Sequence, residues 1–341
     1  MRYYEINVLD SNNQVIRQYS SLRNGVHNPG SLMIEFDLPR YGESTPGGEA
    51  RLAIWGIGPK EMQQARQDLY GKKIQIFVGM SPGLPLAGKW NKKLAIEGTI
   101  FQVFGNWQGT DLRLDFIIVS GPINESDPDR LTPIEVTFPW RAGRTLSSAL
   151  TQCLMTIGGG FRPNISVSDR LVLNYDWPMF CGSLKDLAQQ IKALSRSKIR
   201  EPGYSGVEIA VVNGKEIRVW DNDYRHHPDS SAKSSATARS ENPIQIEFVD
   251  LVGQPTWINF GVVSLICVMR ADIQTGDHIL MPKRARAMVQ ASSYSNYRDD
   301  SAFTGEFVVR SVRFLGNSRQ PNAESWVTII EASVHTKVGG K

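Results

Sequence analysis

The chain is poor in cysteine. Its three cysteines in 341 residues, Cys153, Cys181 and Cys267, are odd in number, far apart and set among apolar neighbours. That excludes the disulfide framework of a small secreted domain and predicts buried free thiols in a reducing compartment. An excess of one charge is lacking too. Against 38 Lys and Arg stand 34 Asp and Glu, and the net +4 is spread nearly evenly along the chain. No third of it is basic enough to be a nucleic-acid footprint. No apolar run approaches the roughly 18 residues of a membrane span. The opening Met1-Arg2-Tyr3-Tyr4-Glu5-Ile6 has no apolar signal-peptide core. These absences predict a chain made in the cytoplasm, not exported by the usual route and without a membrane anchor.

Catalytic motifs are equally scarce. There is no Gly-x-Ser-x-Gly elbow, no phosphate loop and no His-Glu-x-x-His. His27 lies in a turn-rich stretch, His278 in a predicted strand and His335 near the end, none with a motif-level Ser, Cys or Asp companion. The densest polar cluster is Asp221-Asn222-Asp223-Tyr224-Arg225-His226-His227-Pro228-Asp229. Its residue types suit a metal, but adjacent histidines diverge, and Asp-x-Asp here lacks the Gly and distal Glu of a calcium loop. A solvated loop is expected. Gly158-Gly159-Gly160 follows a predicted helix, so it reads as a helix stop rather than a phosphate cradle. Glu97 with Asp111 or Asp115 are the residue types of a glycosidase pair, yet the solvated faces of alternating strands account for them. Lys283-Arg284-Ala285-Arg286 reads as an exposed or interface loop rather than a phosphate site. No catalytic, cofactor-binding or metal-ligating residue is assigned, no cofactor is expected, and the chain is read as not an enzyme.

What the chain has in plenty is turns between short strands, with 30 Gly and 18 Pro. Tyr3–Leu9, a turn at Asp10–Asn13 and Gln14–Tyr19 make a hairpin. Ser31–Leu38 and Arg51–Trp55 are strands. Pro59 then opens a short helix whose Met62, Ala65 and Leu69 share a face. Three more strands end this module near Ser120, giving roughly six or seven strands and one helix, the count of a small barrel or sandwich. The middle changes character. A Pro-marked linker, 121–133, leads to a strand at Ile134–Phe138 and helices at Arg144–Ile157 and Leu184–Lys198, the latter capped by Ser183. Val207–Val212, Asn213-Gly214 and Lys215–Val219 form the strongest hairpin signal. Residues 222–242 are polar and read as a linker or loop. Strands resume at Ile244–Phe248 and Gly261–Met269, with a polar interruption at Gln290–Ser301.

One strand-turn-strand pattern, with Gly-Asn read as the turn, occurs twice. Gly71, a strand Lys72–Val78, Glu97–Phe104, Gly105-Asn106 and a strand Leu112–Val119 are echoed by Gly276, Asp277–Met281, Glu306–Leu315, Gly316-Asn317 and Trp326–Ala332. The Gly to Gly-Asn separations are 34 residues (71 to 105) and 40 (276 to 316). Two similar β-modules per chain allow a ring with twice as many modules as subunits, and point to assembly rather than catalysis.

The first module, with its Arg51–Trp55 strand, its short helix, Gly71-Lys72-Lys73-Ile74-Gln75-Ile76-Phe77-Val78-Gly79, Ile96-Glu97-Gly98-Thr99-Ile100 and Gly109-Thr110-Asp111-Leu112, resembles the opening domain of baseplate hub proteins of contractile-tailed bacteriophages and related spike hubs. The order downstream is similar as well: Thr145-Leu146-Ser147-Ser148-Ala149-Leu150, Gly182-Ser183-Leu184-Lys185-Asp186-Leu187-Ala188, the Asn-Gly hairpin, and Asp250-Leu251-Val252-Gly253-Gln254-Pro255. The resemblance implies a mainly β fold with an α+β insertion. Two tube-like β-barrel domains, 1–121 and 243–341, would flank an α+β unit, 122–221, and a linker, 222–242. It implies a homotrimer whose six barrels adapt a six-fold tail tube to a three-fold spike and line a DNA channel. The implied partners are the tube, spike, wedge or other hub proteins and the tape measure protein, in a virion assembled in the host cytoplasm. Little insertion and no fused lysozyme or spike module imply a minimal hub. A tailocin or type VI-like puncturing device is the near alternative. From another class comes an all-β carbohydrate-binding or peptidoglycan-processing protein using Trp90, Trp107 and Trp257, although core or interface packing accounts for such residues.

Overall fold

The hairpin expected at the start forms as β1 (Arg2–Leu9) and β2 (Val15–Ser20). Its turn is held by Asp10, whose carboxylate accepts from the Asn12 and Gln14 amides at 2.8 Å, while Asn13 takes φ 60°. The computed structural model describes residues 1–41, 49–80, 91–124, 132–201, 203–212, 215–223, 242–259, 261–282 and 305–335. Outside these fall Trp90, the Asn213-Gly214 turn, Tyr224–Asp229 with both of its histidines, most of the predicted linker, the Lys283–Arg286 run and Gln290–Ser301.

The first module continues with β3 (Leu22–Arg23), β4 (Val26–His27), β5 (Met33–Tyr41), β6 (Glu49–Trp55), α1 (Pro59–Leu69), β7 (Lys73–Met80), β8 (Asn91–Gln108) and β9 (Asp111–Val119). The middle holds β10 (Ile123–Asn124), β11 (Thr132–Pro133), β12 (Val136–Trp140), α2 (Leu146–Leu154), β13 (Arg162–Ser166), β14 (Trp177–Cys181), α3 (Leu184–Lys198), β15 (Glu208–Val212) and β16 (Glu216–Trp220). The last part holds β17 (Ile244–Gln245), β18 (Thr256–Asn259), β19 (Val262–Val268), β20 (His278–Leu280), β21 (Glu306–Asn317) and β22 (Trp326–Val334). The protein is mainly β with few helices, as the sequence predicts.

The two β-modules are not separate sheets. They join through antiparallel pairing of β5 with β21, Ser311 opposite Tyr41 through Asn317 opposite Glu35. One 13-stranded sheet results, in the order β18-β19-β22-β21-β5-β6-β9-β8-β7-β1-β2, with β20 also on β21 and β17 on β20. A common core runs across the junction, from Ile6, Ile54 and Phe116 of the first module to Leu265, Phe314 and Ile330 of the last. Alternation explains the strands: in β6 and β7 every second side chain is buried over most of the length. Helix α1 buries Ala65 and Leu69 completely and sets Met62 against Gly105 of β8. Its outer face takes Arg17 of β2 onto Glu61 and Asp68, both at 3.1 Å.

Both glycine-marked motifs take the same backbone form. Gly71 (φ 71°) donates to the Ile100 carbonyl at 3.0 Å, and Ile100 donates back to Lys72 at 2.9 Å. Gly276 (φ 84°) donates to Val309 at 2.8 Å, and Val309 donates back to Asp277 at 2.9 Å. One step further each long strand bulges at the same place. Register shifts between Ile100 and Gln102 against β9, and between Val309 and Ser311 against β22. The Gly-Asn pairs differ from expectation. They are not turns: Gly105-Asn106 lies inside β8 and Gly316-Asn317 ends β21. Gly105 lies five residues beyond Ile100 and Gly316 seven beyond Val309, so the two are out of step. Each glycine answers a local contact. A Cβ on Gly105 would lie 2.0 Å from Met62, and one on Gly316 would lie 2.1 Å from the Phe36 ring.

The middle segment packs its own core around Phe138, Trp140, Leu150, Leu187, Ile209 and Ile217. Here α2 is shorter than predicted, because Thr145 caps it, accepting from the Ser148 amide at 3.3 Å, and it ends at Leu154, ahead of the glycines. Helix α3 and its Ser183 cap are as expected. The strand expected over Ile244–Phe248 stops at Gln245, since Glu247 and Asp250 cap each other and wind Phe248–Asp250 into a 3₁₀ turn. The three parts meet at two buried arginines. Arg40 of β5 donates to the carbonyls of Ala95 (3.2 Å) and Val211 (3.4 Å), and burial pulls its pKa down to about 10. Arg218 of β16 donates to the Thr275 carbonyl (2.7 Å) and Asp277 (2.9 Å).

Candidate assembly surfaces and a histidine-glutamate cluster

The sheet ends in two strands whose outer edges are unpaired among the described residues, β2 and β18. Both carry exposed apolar side chains. Val15 and Ile16 are 52% and 44% exposed on β2, and Ile258 is 41% exposed on β18, with Phe248 and Val249 nearby in sequence and half-exposed. Open edges with apolar side chains, rather than Lys or Pro, are surfaces prone to further pairing. A groove of 710 Å³ crosses the junction of the modules and is lined by Asp37, Arg51, Phe104, Asn106, Gly316 and Asn317 among others. The two Gly-Asn motifs thus converge on one surface.

Several residues singled out in the sequence have ordinary structural partners. Asp221 accepts from the Ser168 amide (3.0 Å) and the Tyr204 hydroxyl (2.9 Å). Asp223 accepts from Ser168 (2.7 Å) and Arg170 (2.8 Å). Both carboxylates are buried, and burial pushes the Asp221 carboxyl up to about 6. Glu97 accepts from Gln75 at 2.7 Å and Asp115 pairs with Arg113 at 3.0 Å. Trp257 is core, 6.4 Å from the ring of Phe307, whereas Trp107 is 73% exposed at the end of β8. The three cysteines are free and buried as predicted, and burial pushes Cys153 and Cys267 up to about 12.

The cluster that sequence reading missed joins His278, Glu306 and His335. Pairing of β20 with β21 sets His278 opposite Val308, diagonal to Glu306 on the same face. On the other side Phe307 faces Val334, and the His335 amide donates to the Glu306 carbonyl at 2.9 Å. Glu306 therefore lies between two imidazoles. Its carboxylate contacts His278 Nδ1, and the two rings stand edge to face, centroids 5.0 Å apart. One donor atom from each of the three side chains lies within 4.8 Å of the others. His335 Nδ1 is buried with no hydrogen-bond partner among the described residues. The cluster borders a cleft of 210 Å³ between the middle segment and the last β-module, shared with Glu208, Asp221 and Arg310. The available signal was alternation: Glu306 and Val308 had to share a face. The register that brings in His278 and His335 could not be read from the sequence.

No family model matches the chain, and no curated protein matches it in sequence. Among solved structures it is similar to the 43 kDa tail protein of prophage MuSo2 from Shewanella oneidensis, with TM-score 0.47, 7% identity, and 98% of this chain and 97% of that one covered. It is similar to a tail protein from Neisseria meningitidis MC58, with TM-score 0.46, 10% identity and coverages of 97% and 96%. A third is an E. coli protein described as a type VI secretion system component with structural similarity to tail proteins of bacteriophage T4, with TM-score 0.43, 9% identity and coverages of 92% and 76%. All three are distant likenesses, at 10% identity or less and TM-scores under 0.5.

Proposed function

We propose that this chain is a structural hub of a contractile-tail baseplate, a homotrimer that adapts a six-fold tail tube to a three-fold central spike. The observation that carries the reading is the duplicated module. The same glycine turn, hydrogen-bond pair and bulge occur in both β-segments, and β5–β21 pairing joins those segments into one sheet. Three such chains around an axis present six quasi-equivalent modules, and closing them into a ring covers the apolar edges of β2 and β18. In this arrangement the ring encloses a channel for DNA, without sequence-specific contacts. The tube protein docks on one rim, the spike on the other, and wedge or other hub proteins outside. The middle segment, with its own core, stands outside the ring.

Light scattering and negative-stain imaging of the purified chain test this. The expected result is three times the mass of the 38.1 kDa chain and a six-lobed ring. A monomer that forms no ring even when tube protein is added would overturn the proposal. A neighbourhood of tail genes without capsid genes would move the assignment to a tailocin.

A further inference from the structure

We propose that His278, Glu306 and His335 form a binding site for a divalent transition metal of the zinc type. This stands independently of the hub reading, since it rests on side-chain chemistry and not on the glycine turn and bulge that repeat.

Chemistry and position agree. Two imidazoles and one carboxylate are a ligand set that zinc takes with one position left over for water. The three donor atoms lie within 4.8 Å of one another. Around a tetrahedral zinc, donors at about 2.0–2.1 Å stand roughly 3.3 Å apart, so small side-chain rotations close the set. Backbone pairing supplies the rigidity: His278 on β20 and Glu306 on β21 are neighbours in one sheet, and His335, the residue after β22, is held to Glu306 by its amide hydrogen bond at 2.9 Å. The His278 side chain is 11% exposed and that of Glu306 24%, so the site is largely dehydrated but open toward the cleft.

A hydrogen-bonded His-Glu pair alone accounts for His278 and Glu306. It leaves His335 unexplained, because among the described residues His335 Nδ1 is buried without a hydrogen-bond partner although its ring stands against that of His278. A buried polar atom lacking a partner points to a missing ligand, and a cation bound here supplies it. His278 and His335 both line the cleft shared with Glu208, Asp221 and Arg310, from which water would reach the fourth position. A metal would tie together three positions of the last β-module that span the segment from 278 to 335.

The test uses the full chain, stripped with a chelator and titrated with Zn²⁺ alone by calorimetry. One zinc per chain is expected, with a rise in melting temperature on binding. His335→Ala and Glu306→Gln should each weaken binding by more than the 10–100-fold typical of supporting residues, and abolish the thermal shift. A second measurement needs no variant. Diethyl pyrocarbonate labelling of the wild-type chain, read by mass spectrometry, should show His278 and His335 protected by Zn²⁺ and exposed His27 unprotected. No saturable binding, equal binding by both variants, or equal labelling of His278 and His335 with and without zinc would overturn the site. Tighter retention of Fe²⁺ than Zn²⁺ in competition would overturn the assignment to zinc.

Discussion

At Asp221 burial and hydrogen bonding pull in opposite directions. Donors from Ser168, Tyr204 and the Asp223 amide favour the carboxylate, but loss of water prevails and lifts the carboxyl from 3.8 to about 6. The folded-state value lies above the unfolded one. Between about pH 4 and 6, therefore, the native state keeps a proton that the unfolded chain has released. The stabilisation due to this group is full below pH 4 and is lost as pH rises to 6. A shift of this size corresponds to about 3 kcal/mol. Asp221→Asn removes the dependence. Unfolding free energies of wild type and variant from urea titrations at pH 4, 5 and 6 should converge on one side of this window and diverge across it by up to about that amount. A constant difference between them would refute the assignment.

Within the strands, the glycines at 105 and 316 do the same kind of job under different constraints. Phe36 packs edge to face on Trp326, centroids 5.1 Å apart, and its ring fills the space where Gly316 has no side chain. An aromatic ring clamped in a core has nowhere to go. Gly316→Ala should cost about 1–3 kcal/mol through overpacking, seen as a lower urea midpoint at unchanged slope. Gly105→Ala meets the flexible side chain of Met62 instead and should cost clearly less. Equal losses would show that the ring is not the constraint. Both glycines are visible as a repeat in the sequence, but they stand five and seven residues beyond Ile100 and Val309, out of step with the fold. The feature that repeats is the bulge after Ile100 and Val309, and a bulge leaves no mark in residue type.

For the whole molecule the open edges matter most. A lysine in an edge strand blunts strand pairing between chains without disturbing the pairing already made within one. Ile258, exposed on β18, is the place to put it. Ile258→Lys should leave the circular dichroism and unfolding midpoint of the chain unchanged while the light-scattering mass falls from trimer to monomer. An unaltered trimer would move the subunit contact away from β18. Such a result would leave the buried Arg40 and Arg218 junction untouched, because those arginines bind segments of one chain to each other.

Sequence alone determined the local elements of this protein. Proline at position 59, Ser183 before Leu184, and Asp10–Asn13 between two alternating runs act through backbone preferences over a few residues, and α1, α3 and the first hairpin follow from them. Buried free cysteines and a mainly β chain with a distinct middle segment followed from composition and patterning. Tertiary structure alone decided which strands are neighbours. Pairing of β5 with β21 links residues 270 (Ser311 and Tyr41) to 282 (Asn317 and Glu35) positions apart, and it makes one sheet and one core from what patterning presents as two modules. The same kind of pairing brings His278, Glu306 and His335 together. Alternation tells a residue which face it occupies. Only closure of long-range pairs, driven by burial of both modules in a common core, tells it what stands opposite.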